Sequence, residues 1–238
     1  MTRERAMTEG ATYGLRLVPV VGAVGLAVFL LIAAFQLADI YLGEHPGPVA
    51  VGGAAPAAAP VADASAQSTP RDQWRAGEVP FLYQTDPAWS GEPYAGSNVA
   101  EAGCGPTSLA MVYVALTGRD DYDPPVMAAF SEAGGYVEDG LTAWRLMTDG
   151  AAELGLASRE VPADASRLLA ELEAGHPVIC SVGPGDFTET GHFLVLAGAT
   201  DDGQLVVHDP NSPANSARTW GADRVLAQCR NLWAFEVG

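Results

Sequence analysis

Three residue types spread over residues 104–209 could together cleave an acyl bond: a cysteine, a histidine and a carboxylate. Cys104 stands between two glycines in "EAGCGPTSLAMVYVALTG" and opens a long apolar run. A cysteine in the first turn of a helix aims its sulfur at unpaired N–H groups and at the positive end of the helix dipole, which favours thiolate over thiol. Pro106 suits that turn, because its missing N–H has no helical partner to lose there. The plain alternative is a packed, inert thiol.

A thiolate that attacks a carbonyl needs a neighbour able to hold a proton and return it to the leaving amine, a task suited to histidine. Of the four histidines, His45 lies in a Gly/Ala/Pro-rich stretch, His176 in the turn "AGHPV", and His208 inside the short strand "QLVVHD". His192 begins "HFLVLAGA" straight after a glycine-containing loop, where a side chain at the mouth of a sheet can face a cleft, and it is the candidate base. A hairpin of "HFLVLAGA" and "QLVVHD" around "DDG" brings Asp209 beside His192 to fix its tautomer; Asn211 is a weaker candidate. An oxyanion donor could come from Gln84, at the end of "VPFLYQ", or from Asn98, closer to the cysteine.

These side chains need elements to hold them. In the helix opened by Cys104, the apolar residues Leu109, Met111, Val112, Val114, Ala115 and Leu116 cover most of the circumference, which marks a buried central helix ended by Gly118. A short helix is expected after Pro124 and Pro125, and another over about Thr142–Leu154, with Trp144, Leu146 and Met147 at helical spacing. A third, "DASRLLAELEAG", has Asp164 or Ser166 available as its cap. Beyond Gly175 the period changes: "PVICSV", "HFLVLAGA", "QLVVHD" and "NLWAFEV" read as an antiparallel sheet. Helices first and strands second argue for an α+β class.

The 238 residues suffice for one substantial domain. From Leu17 to Ala38 no side chain is charged, so a helix there would span roughly 33 Å and could cross a bilayer. Arg3, Arg5 and Arg16 precede it, which predicts a cytoplasmic N-terminus (1–16), a transmembrane anchor or signal segment (17–38), and an outward-facing remainder. Residues 39–77, rich in Ala, Pro and Gly, read as a disordered tether, and 78–238 as the folded domain. The net charge of −17 makes nucleic acid an improbable partner. Three cysteines, Cys104, Cys180 and Cys229, allow at most one internal disulfide. None has zinc-ligand spacing, and no cofactor is expected.

The segments "VPFLYQTD", "GCGPTSLAMV", "GHPVICSVGPGDFTETGHFLVLAGATDDG" and "VVHDPNS" together resemble the papain-like cysteine peptidases related to the bacteriocin-processing, double-glycine leader peptidases, in their stand-alone bacterial branch. The resemblance covers residues 79–237. It implies a papain-like α+β fold, with an N-terminal helical part around a central nucleophile helix and a C-terminal antiparallel sheet. It further implies Cys104 as nucleophile, His192 as general base and acid, Asp209 as the residue orienting it, and Gln84 as oxyanion donor. The expectation is a monomeric, membrane-tethered peptidase domain outside the bacterial cytoplasm, or a secreted one if the segment is cleaved, acting on a peptide or protein. A cell-wall amidase or endopeptidase with the same triad and a non-catalytic peptide-binding module are the alternatives.

Overall fold

The computed structural model describes residues 67–238. The apolar segment 17–38 and most of the stretch read as a tether lie outside them. Among the described residues no helix is long and apolar enough to cross a membrane. Residues 68–77, assigned by composition to the tether, pack on the domain. The Thr69 N–H donates to the Phe81 carbonyl at 2.7 Å, Trp74 lies against the main core, and Arg71 pairs with Asp123. One tryptophan gives this polar stretch enough apolar surface to hold it down.

A small hairpin of β1 (Pro93–Tyr94) and β2 (Ser97–Asn98) turns through Ala95 and Gly96, both at positive φ. It leads into α1 (Val99–Ala102) and then α2 (Cys104–Thr117). As its all-round apolar pattern predicts, α2 is buried from Gly105 to Ala115, and it ends at Gly118 in the left-handed conformation, φ 68°. Next, α3 (Pro124–Ala133) opens on a proline, with the Asp123 carboxylate accepting the Val126 N–H.

The helix expected over Thr142–Leu154 is broken up. β3 (Val137–Glu138) precedes that range and pairs with β4 (Leu141–Thr142), which takes its first residue; a 3-10 turn (Trp144–Met147) and α4 (Asp149–Glu153) take the rest. Thr142 is drawn into β4, and its hydroxyl is tied to the Tyr94 hydroxyl at 2.8 Å. That tertiary bond competes with a helix start, while the 3-10 turn still buries Leu146 and Met147.

The rest of the chain builds β5 (Leu156–Glu160), α5 (Ala165–Glu173), β6 (Val178–Val182), β7 (His192–Ala199), β8 (Gln204–His208), α6 (Pro213–Ser216), β9 (Thr219–Gly221), α7 (Ala222–Leu226) and β10 (Cys229–Val237). The six strands form one antiparallel sheet in the order β5-β10-β6-β7-β8-β9. Alternation along the central strands gives the sheet two apolar faces. Ile179, Phe193, Val195, Trp233 and Phe235 pack with α2 in one core. Val178, Cys180, Leu194, Leu196 and Leu232 pack with Leu168 and Leu172 of α5 in the other. Asp164 caps α5, accepting the Arg167 N–H, and its two buried leucines contribute about 1.5–3 kcal/mol each. The mixed α/β architecture thus agrees with the α+β expectation.

Candidate active site

Cys104 is the first residue of α2, and Gly103 alone separates it from α1. Both flanking glycines are demanded by packing. A Cβ on Gly103 would stand 2.4 Å from the Val99 carbonyl oxygen, and one on Gly105 would stand 2.5 Å from the Thr142 Cγ2. The N-terminus of α2 is therefore seated against α1 and β4. Tyr94, which bonds both Thr142 and, at 3.0 Å, the Ser131 hydroxyl, holds β4 in place from behind.

His192 opens β7, and its Nε2 lies 2.7 Å from Asp209 Oδ1, with His192 7% and Asp209 1% exposed. The carboxylate is itself fixed: Oδ1 also accepts the Asn211 N–H at 2.9 Å, and Oδ2 accepts from the Asn215 side-chain amide at 2.8 Å. The Ser216 hydroxyl accepts the Asp209 N–H. With Nε2 committed to Asp209, the imidazole has Nδ1 left for the Cys104 sulfur, its other hydrogen-bond partner. Cys104, His192 and Asp209 thus belong to one site.

The electrostatics follow from those contacts. Burial alone would push the Cys104 thiol up, but the hydrogen bond and charge of His192, with the Phe193 and Gly105 N–H groups, outweigh it and bring it below the ordinary thiol value. Burial pulls His192 the other way, yet its bonds to Asp209 and Cys104 push it up to about 10. A lowered thiol facing a raised imidazole shifts the balance from the neutral pair toward thiolate–imidazolium.

Gln84 reaches the same region by a long detour through the 79–84 segment. Its backbone N–H donates to the Pro210 carbonyl at 2.8 Å, and its amide donates to the Ala100 carbonyl at 2.6 Å. The buried Gln84 Oε1 has no hydrogen-bond partner among the described residues. Asn98, the other oxyanion candidate, caps α1 by accepting the Glu101 N–H. Asn211 is exposed and gives the carboxylate its backbone only. His208 is excluded from the site. Its ring stacks on Phe81 at 3.8 Å between centroids, its Nδ1 meets the Pro80 carbonyl, and burial pushes it down to about 4. It serves to dock the segment that delivers Gln84.

Sequence reasoning missed Asn215 and Ser216, although "PNSPANS" directly after Asp209 carries the Ser-Pro start of a capped turn that brings both back to Asp209. It expected His192 to face a cleft but did not identify the residues that line it. A groove of about 450 Å³ runs over Cys104 and His192, lined also by Leu141, Thr142, Trp144, Ser181, Thr190 and Phe193. Leu141 is 66% and Trp144 48% exposed. Two large apolar side chains held in water beside Cys104 form a surface suited to an apolar group of a bound chain.

A family model described as "Peptidase_C39 like family" matches residues 77–234. No curated protein matches the sequence significantly. Among solved structures, one similar chain is the peptidase domain of Streptococcus ComA, a bi-functional ABC transporter involved in a quorum sensing pathway. It is 23% identical with a TM-score of 0.44, over 58% of this chain and 92% of that one. Another is described as a C39-like peptidase from Bacillus anthracis, 15% identical with a TM-score of 0.44, over 67% of this chain and 94% of that one.

Proposed function

Because the chain belongs to the Peptidase_C39 like family, we propose that it is a cysteine peptidase working through Cys104, His192 and Asp209. The observation that carries this reading is the paired perturbation of a lowered Cys104 thiol and a raised, Asp209-bonded His192 at the floor of an open groove. A pair of this kind supplies both a nucleophile and a proton at neutral pH.

In this mechanism the Cys104 thiolate adds to the scissile carbonyl carbon, and the carbonyl electron pair moves onto oxygen. The first-turn N–H of Cys104 and the second amide hydrogen of Gln84 stabilise that oxyanion. His192 gives its Nδ1 proton to the departing amine as the C–N bond breaks, leaving an S-acyl enzyme. Neutral His192 then takes a proton from water, the hydroxide attacks the acyl carbon, and the thiolate leaves with imidazolium restored beside it. Asp209, held by Asn211 and Asn215, keeps the Nε2–H directed away from the sulfur.

The substrate is a peptide or unfolded protein segment laid along the groove, with an apolar side chain against Leu141 and Trp144. The uncharged Leu17–Ala38 segment, with arginines before it and none within it, supports a membrane-anchored enzyme acting outside the cytoplasm. The test is digestion of a peptide library by the full-length protein and by its Cys104→Ser variant, with products read by mass spectrometry. Cleavage by the first and not by the second is expected; identical digests from both would overturn the reading.

A further inference from the structure

The two cysteines outside the site are neighbours. Cys180 is fully buried in β6, and Cys229 starts β10, the adjacent antiparallel strand. The register pairs Cys180 with Leu232 and Val182 with Cys229 across a bulge at Arg230, so Cys229 lies diagonally across from Cys180 on the same face of the sheet. Both belong to the core cluster on one side of the sheet, whereas Cys104 packs against the other. All three are free thiols in the structure.

The two thiols interact and their acidities are split, while the Cys180 S–H is directed at the Ser181 carbonyl at 3.8 Å. The contact with Cys229, together with burial, holds the Cys180 thiol well above its usual range, while the same contact brings the half-buried Cys229 thiol down. Cys229 also lines a surface cavity of about 340 Å³ formed with Glu160, Pro162 and Arg230, which gives a small reagent access to its sulfur. Among the described residues, nothing in the proposed mechanism uses either thiol.

The surroundings indicate what a bond here would secure. The bulge interrupts the β6–β10 ladder at this end. The same corner carries the anchors of the loop 183–191 that precedes His192. Gly183 N–H donates to the Gln228 carbonyl at 2.9 Å, and Asp186 is gripped by Arg224 and by the Gln228 amide. Ser181, next to Cys180, lines the catalytic groove.

We propose that Cys180 and Cys229 form a dithiol–disulfide couple that clamps the α7–β10 corner to β6 and leaves Cys104 as the unpaired thiol. The oxidant is a low-molecular-weight disulfide. The Cys229 thiolate attacks one of its sulfurs and releases the first small thiolate, and the Cys180 sulfur then attacks Cys229 Sγ in the mixed disulfide and releases the second. The two protein thiol protons end on the two released thiols, and two electrons pass to the reagent.

The test treats the full-length protein with oxidised glutathione under native conditions, quenches it with acid, alkylates it after denaturation and cleaves it after arginine. The expected result is peptide 168–218 linked to 225–230, with Cys104 in 76–119 outside that link. Cys180 and Cys229 recovered alkylated, or Cys229 recovered only as its glutathione adduct, overturns the proposal. The unfolding temperature should rise by about 5–15 °C on oxidation and return on adding dithiothreitol. In Cys229→Ser, which removes the half-buried partner and spares the core thiol, that rise should vanish. An equal rise in Cys229→Ser also overturns it. Neither readout needs peptidase activity, so failure of the proposed function leaves this test intact.

Discussion

Replacing Asp209 with alanine removes the acceptor from a hydrogen bond of 2.7 Å to the buried Nε2 of His192. The bond is charge-assisted whenever His192 is imidazolium, and such bonds contribute about 1.5–3 kcal/mol. The ion pair with Cys104 loses that amount relative to the neutral thiol–imidazole pair. At about 1.4 kcal/mol per tenfold, the population of reactive thiolate falls by about 10- to 150-fold wherever the neutral pair takes over. Asp209 is one of the two groups that push His192 up to about 10, so the alkaline limit of the imidazolium moves down as well. Iodoacetamide alkylation of Cys104 from pH 5 to 11 reads both effects without a substrate. In Asp209→Ala the neutral-pH rate should fall at least about tenfold, and the alkaline limb should shift toward lower pH. Asp209→Asn keeps an acceptor oxygen while losing the charge, and should recover part of the rate. A profile for Asp209→Ala within twofold of wild type, in protein still folded by circular dichroism, would refute the coupling of carboxylate, imidazole and thiol.

Further outcomes follow from the same geometry. His192→Ala removes the largest influence holding the Cys104 thiol down, so alkylation at pH 6 should drop by about two orders of magnitude while Cys229 labelling stays constant. Gly105→Ala forces a Cβ against Thr142; thermal unfolding should show a loss of about 1–3 kcal/mol with slower Cys104 alkylation. His208 is held at about 4, below its unfolded value of about 6.5. Its contribution is therefore fully present above pH 6.5 and is lost as pH falls through 4, about 3 kcal/mol in all. Denaturant titrations of His208→Phe should lack that loss. Trp144→Ala should raise KM for peptides with an apolar side chain by about 5- to 30-fold with kcat within about twofold, a loss of uniform binding.

The helical half of the fold was legible where local pattern and tertiary demand agree. The all-apolar α2 with its terminal glycine, the Asp164-capped α5 and the four long strands lie where periodicity puts them. Prediction failed where a contact from far along the chain outvoted it. The Trp144, Leu146 and Met147 spacing suits a helix, but Tyr94 holds Thr142 in a strand. The edge strands β5 and β9 have too few apolar residues to announce themselves, and the strands beside them in the sheet supply their pairing. Trp74 was hidden in a stretch whose overall composition suggested a tether.

What the sequence determined by itself is the set of candidate groups: a cysteine at the start of an apolar helix, a histidine opening a strand, and an aspartate one hairpin away. Local chemistry sufficed there, because helix dipole, strand period and hairpin connectivity act over a few residues. Only the tertiary structure decided what those groups can do. It commits Nε2 of His192 to Asp209, recruits Asn215 to fix the carboxylate, brings Gln84 back through the docked 79–84 segment, and walls the groove with Leu141 and Trp144. It also sets Cys180 beside Cys229 on the face of the sheet away from Cys104. Acidity, access and pairing depend on burial and on neighbours distant in sequence, and these exist only once the chain has closed on itself.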